Sequence, residues 1–210
     1  MKIKYYGHSC FVLEANDGRK IMTDPYTRVG YELPKNLAVD IVTVSHGHFD
    51  HNYTQAVVCN RIVDGTDEQS SDIFGVECYH DPKQGKLRGK NIIYKINVDG
   101  ITFCHLGDLG EECSPTLLDK IGKVDVLLIP VGGTYTIDAV QAKEYVDRIT
   151  PKTVIPMHYK PSDGILDIDG SDRFLSLFED DEIERVINGE TDFCLEKPRR
   201  RVIYMERIRQ

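Results

Sequence analysis

Residues 40–52 read DIVTVSHGHFDHN. Three of the chain's seven histidines fall within six positions here, with Asp50 among them, directly after a β-branched apolar run. Such a run predicts a buried strand over 39–45. His46 and His48 are two apart, so in extended chain their imidazoles point the same way. Gly47 between them is read as the residue that lets the backbone turn tightly, and Asp50 and His51 follow on that turn. A strand end this rich in donors is either a cation site or a solvated loop. The other histidines choose between these readings.

His105 follows the apolar run ITFC, and His158 follows KTVIPM. Three strand ends would then deliver imidazoles to one sheet edge, which a chance scatter of surface histidines would not do. His46, His48, Asp50, His51, His105, Asp108 and His158 together are enough donors for two divalent metal ions. Imidazole with carboxylate suits zinc, and also manganese or iron(II).

Working outward, residues 1–14 predict two strands with a bend at Gly7. Asn16-Asp17-Gly18 is a hairpin turn before a strand at 19–23. Residues 61–64 and 73–79 read as further strands, and 92–98 and 101–106 as a hairpin around Asp99-Gly100. Ser114-Pro115 opens a short helix that stops at Gly122. Residues 124–131 and 152–157 are apolar enough for buried strands. Residues 138–149 have helical spacing behind Asp138 as N-cap. Short helices are expected at 171–179 and 181–187, and an edge or closing strand at 201–208. The basic run 197–201 is read as a solvated turn. Hairpins followed by mixed strands and helices imply an α+β fold with two mixed sheets flanked by helices.

At 210 residues the chain is read as a single domain, residues 1–210. Its net charge of −8 disfavours sequence-independent binding to nucleic acid or to anionic membranes. No apolar stretch is long enough to span a bilayer. The six cysteines are scattered without C-x-x-C pairing. With no visible secretory segment, they are read as reduced thiols of a cytoplasmic protein. The expected partner is a small-molecule substrate. A homo-oligomer is compatible with the sequence.

His46-Gly47-His48-Phe49-Asp50-His51 resembles the H-x-H-x-D-H signature of the metallo-β-lactamase superfamily. Thr23-Asp24-Pro25, His105-Leu106-Gly107-Asp108, Pro130-Val131-Gly132-Gly133-Thr134 and Ile155-Pro156-Met157-His158-Tyr159 resemble blocks of its small cytosolic metal-dependent hydrolases, the branch related to ascorbate-phosphate lactonase. The resemblance implies a four-layer αβ/βα sandwich with metals at one edge. It assigns His46, His48 and His105 to a first metal, Asp50, His51 and His158 to a second, and Asp108 to a bridge between them. An aspartate at 108, where the superfamily's bacterial lactamases carry a cysteine, argues against a β-lactam specialist. The implied reaction is attack by a metal-bridging hydroxide on a small, anionic ester, lactone or phosphoester. A nuclease or nucleotide phosphodiesterase of the same fold, or a non-catalytic metal-binding protein, are the alternatives.

Within that scheme Asp50 is a catalytic candidate that orients the attacking hydroxide. His80 is the second, as proton donor to the leaving group or holder of a developing oxyanion. Asp24 is expected to fix a ligand histidine from behind. His8 falls outside the ligand set. Lys83, Lys86, Arg88 and Lys90, in the loop that His80 opens, are positioned in sequence to meet an anionic substrate.

Overall fold

The computed structural model describes residues 1–66, 72–195 and 201–209. Two mixed sheets pack face to face. The first contains β1 (Lys2–Gly7), β2 (Cys10–Glu14), β3 (Lys20–Thr23), β4 (Leu37–Thr43) and β5 (Val57–Val63). The second starts with β6 (Ile73–Tyr79), β7 (Lys90–Val98), β8 (Ile101–His105), β9 (Val126–Pro130) and β10 (Thr153–Met157). β11 (Ile183–Val186) and β13 (Arg201–Met205) extend the second sheet, while β12 (Glu190–Asp192) returns to the first. The orders are β12-β1-β2-β3-β4-β5 and β11-β13-β10-β9-β8-β7-β6.

The pairing directions place the site. β1 and β3 both run antiparallel to β2, and β4 runs parallel to β3. The carboxyl ends of β1, β3 and β4 therefore share one edge. In the second sheet β6 and β8 both run antiparallel to β7, and β9 and β10 run parallel to β8. The carboxyl ends of β6, β8, β9 and β10 share an edge in the same way.

The main core lies between the sheets. Ile3, Tyr5, Phe11, Leu13 and Ile21 of the first face Ile93, Ile96, Phe103 and Leu127 of the second within one buried cluster. Alternation puts Tyr6, Cys10, Val12, Met22 and Val42 on the opposite face, in a second cluster with Tyr26, Val29 and Leu33 from the loop after β3. An irregular segment thus covers the outer face of the first sheet. The α-helices among the described residues come from the second half: α1 (Pro115–Ile121), α2 (Ala139–Ile149) and the short α3 (Asp172–Leu175).

Local chemistry explains their limits. Ser114 Oγ accepts the Leu117 N–H at 3.2 Å, and Gly122 closes α1 at φ 61°. Asp138 and Gln141 form a reciprocal capping box at the start of α2. α2 buries Ala139, Ala142, Tyr145 and Val146, one helical stripe.

Two expectations for the C-terminal part are corrected. Residues 183–186, read as helical, form strand β11, because Ile183 and Val186 pair in parallel with Val202 and Met205. Tertiary pairing overrides helix propensity in this short segment. The final strand is an interior one: β13 lies between β11 and β10. In the basic run, residues 197–200 lie outside the described residues. No helix of the described residues is long and apolar enough to cross a membrane.

Candidate metal centre

The donor side chains stand just beyond strand ends on the two shared edges. His8 follows β1, Asp24 follows β3, and the 45–51 turn follows β4. Facing them, His80 follows β6, Asp108 follows β8 and His158 follows β10. Rigid sheet backbone thus aims side chains from six strands into one gap. His8, Asp24 and His158 have φ of 53°, 38° and 51°. All three lie in the left-handed region, which Asp and His adopt more readily than most non-glycine residues.

Three sets of donor atoms each lie within 4.8 Å of one another: His8, Asp50, His51 and His158; His46, His48 and His80; and His46, His51 and Asp108. Asp108 joins them. Its Oδ1 lies 3.0 Å from His51 Nε2 and 3.3 Å from His158 Nε2. Its Oδ2 lies 3.3 Å from His80 Nε2 and 3.8 Å from His46 Nε2. His8 Nε2 lies 3.3 Å from Asp50 Oδ2 and 3.2 Å from His51 Nε2.

Asp108 Oδ1, His46 Nε2 and His158 Nε2 are buried yet make no hydrogen bond. The short approaches to Asp108 Oδ1 thus fall outside hydrogen-bond geometry. A buried polar atom without a partner costs about 1–3 kcal/mol. A divalent cation among these nitrogens and oxygens removes that cost, so the residues present fit a metal of the zinc, manganese or iron kind.

The seven expected ligands do not all meet. His46, His48, Asp50, His51, Asp108 and His158 are brought together, and His105 is not. His105 is still paired within β8, so its ring points between the sheets. Its Nε2 lies 2.9 Å from the Ser9 carbonyl, and its Nδ1 accepts the Gly107 N–H. Both ring nitrogens are engaged, Nε2 across to the first sheet and Nδ1 within its own turn. His80 stands beside His46 and His48 instead, which places it among the donors rather than apart from them as a proton donor. His8, expected outside, sits against Asp50 and His51. The strand bounds separate them: His8 and His80 each stand one residue past a strand, whereas His105 is the last residue of β8.

Asp24 is where expectation put it. Fully buried, its carboxylate accepts from Ser45 N–H at 2.7 Å and Ser45 Oγ at 2.6 Å, and lies 2.7 Å from His51 Nδ1. Two glycines matter by close approach. A Cβ at Gly110 would strike the His80 carbonyl, and one at Gly132 the His158 carbonyl. Gly47 differs from its reading: a Cβ there meets nothing within 4 Å.

The titration behaviour follows from crowding. Burial and the neighbouring His158 push His8 down to about 4, and burial with His51 pushes His46 down to about 3. Burial also lowers His80 and His105. His51 goes the other way: burial would lower it, but Asp108 and Asp24 raise it well above its ordinary value. Burial would raise the Asp50 carboxyl, but the hydrogen bond from His8 and the charge of His51 lower it.

These directions predict a stability maximum for the metal-free protein near the ordinary histidine value of 6.5. As pH falls from there to about 4, the unfolded chain takes up protons that folded His8 and His46 refuse, so stability falls. His51 is charged in both states in that window and adds no slope. As pH rises above 6.5, His51 keeps its proton only when folded, and its contribution is progressively lost. Unfolding midpoints of chelated protein should fall on both sides of this value. A flat profile across about pH 5 to 8 would contradict the argument.

A family model described as a β-lactamase superfamily domain matches residues 2–158. The chain belongs to the metallo-β-lactamase superfamily. It is 38% identical, over 97% of both chains and with a TM-score of 0.78, to a candidate Zn-dependent hydrolase of this superfamily from Thermotoga maritima. It is 30% identical to a UPF0173 metal-dependent hydrolase of Pelotomaculum thermopropionicum, covering 76% of this chain and 84% of that relative. A second UPF0173 metal-dependent hydrolase, from Carboxydothermus hydrogenoformans, is 29% identical with the same coverage. The protein is a metal-dependent hydrolase of the metallo-β-lactamase superfamily, and its donor cluster contains groups that could hold a metal ion.

Proposed function

We propose that the enzyme holds two divalent ions, zinc foremost, and hydrolyses a small anionic ester, lactone or phosphoester in the cytoplasm. The observation that carries this reading is Asp108, whose two oxygens face two different donor sets. His46, His48 and His80 would hold one ion; Asp50, His51 and His158, with His8 against them, would hold the other. When bound, such ions supply Lewis acidity and lower the pKa of water toward neutrality.

The chain's own residues do the remaining work. Asp50, kept ionised by His8 and His51, accepts a hydrogen bond from the attacking water and fixes its direction. Asp24 holds the His51 ring in one orientation. His48 is exposed while His51 and His158 are fully buried, so substrate reaches the centre from the side of the 46–50 turn. Lys83, Lys86, Arg88 and Lys90 make the loop after His80 attractive to anions.

Metal content per chain, measured on protein purified without added metal or chelator, tests the reading first. About two equivalents of a transition metal, with hydrolysis of aryl phosphoesters or lactones that Asp50→Ala abolishes without unfolding the chain, is the expected result. One equivalent, or turnover that survives Asp50→Ala, would defeat the two-ion mechanism.

A further inference from the structure

The four cations after His80 are not equivalent. Asp81, buried, holds the loop from inside. Its Oδ1 accepts the N–H groups of Lys83 at 2.8 Å and Gly85 at 3.2 Å, and its Oδ2 those of Leu87 at 3.0 Å and Arg88 at 2.8 Å. On this fixed loop Lys83 and Lys86 are exposed, and Lys90 is paired with Glu77 at 2.9 Å. Arg88 is half-buried and oriented. Its Nη2 donates to the Thr134 carbonyl at 3.0 Å, and its guanidinium carbon lies 5.6 Å from the centre of the Tyr135 ring. No carboxylate among the described residues is in ion-pair range of it.

Its place relative to the centre is bracketed from two sides. The Arg88 N–H is bonded to Asp81, the residue after His80. Thr134 is two residues from Gly132, whose backbone rests on the His158 carbonyl. Two residues of chain span at most about 7 Å. Arg88 therefore ties the loop after His80 to the segment after β9, both at the carboxyl edge of the second sheet. Tyr135, 38% exposed, presents a ring beside it, and Phe49, 49% exposed, lies between His48 and Asp50 on the opposite sheet.

We infer that Arg88 is the specificity-determining residue, binding the anionic group of the substrate, with Tyr135 as the wall for the substrate's planar or apolar part. The inference rests on the hydrolase reading above and narrows it. The substrate is a compact organic anion whose carboxylate or phosphate lies a short spacer from the bond to be cleaved. An arginine suits this task because its planar fork keeps free donors when one is used on a carbonyl and its face on a ring. The exposed lysines attract anions at a distance and fix no geometry.

Calorimetric titration of the metal-loaded protein with phenylphosphonate, and with neutral benzamide of similar shape, tests this. Arg88→Met should weaken phenylphosphonate about tenfold and leave benzamide unchanged, the loss expected for one hydrogen bond to a charged group. Arg88→Lys should restore only part of the loss. Lys83→Met and Lys86→Met should change it less than about threefold, and only at low salt. Unchanged phenylphosphonate affinity in Arg88→Met, or absence of binding to the parent protein, would overturn the inference. An equal loss for both probes would also overturn it, because it would show that Arg88 only supports the 132–137 loop. Binding is read without turnover, so the two readings separate. Arg88-dependent binding with no hydrolysis sinks the reaction assigned above, and hydrolysis with Arg88-independent affinity sinks only this inference.

Discussion

Removing the metal with a chelator is expected to lower the thermal unfolding midpoint by about 8–16 °C per ion, and to abolish hydrolysis. A ligand present at a thousandfold over its dissociation constant stabilises the folded chain by about 4 kcal/mol. For a domain near this size each kcal/mol is worth about 2–4 °C. The structure gives the physical reason for a large effect. Six histidines and two carboxylates crowd into one gap, and Asp108 Oδ1, His46 Nε2 and His158 Nε2, all buried, make no hydrogen bond. The metal-free protein keeps that desolvation cost and gains nothing for it. Restoring zinc, manganese or iron should recover both the midpoint and the activity, and which ion does so best identifies the metal the site prefers. A midpoint that does not move on chelation would mean that these donors do not hold an ion in the folded protein.

The second large effect is expected at a residue that holds no metal in this scheme. Asp24→Ala should cost about 3–5 kcal/mol, the range for removing one member of a buried charged pair. It should also weaken metal affinity about 10–100-fold. Asp24 is fully buried, accepts two hydrogen bonds from Ser45, and faces the charged ring of His51. Its removal leaves the Ser45 N–H and the His51 Nδ1 without their acceptor. Asp24→Asn keeps the shape but not the charge, so it should recover part of the stability and less of the metal affinity. Equilibrium denaturation and competition against a chromogenic chelator measure the two losses separately. Stability loss with unchanged metal affinity would show that Asp24 supports the turn and does not tune His51.

The sequence by itself determined the parts set by local pattern. Periodicity located the strands around 39–45, 92–98 and 152–157, and capping residues bounded α1 and α2, because those signals act within a few residues. The H-x-H-x-D-H cluster was legible because its donors are close in sequence, although residues 45–48 form a bend rather than the extended chain expected of them. Asp24 was legible only as a strand-end carboxylate without a partner nearby in sequence; its burial against His51 is a tertiary fact. Tertiary structure decided what depends on residues far apart. His105 and His80 both stand at strand ends in sequence. Only the pairing of β8 with β7 and β9 shows that His105 remains inside the ladder, bonded to Ser9. His80 lies one residue past β6, free to turn toward Asp108. The strand at 183–186 was read as helix because nothing local announces its partner, nineteen residues further on. The donor set was likewise decided by which strand carboxyl ends share an edge, and strand order is fixed by the packing of two sheets rather than by any short stretch of chain.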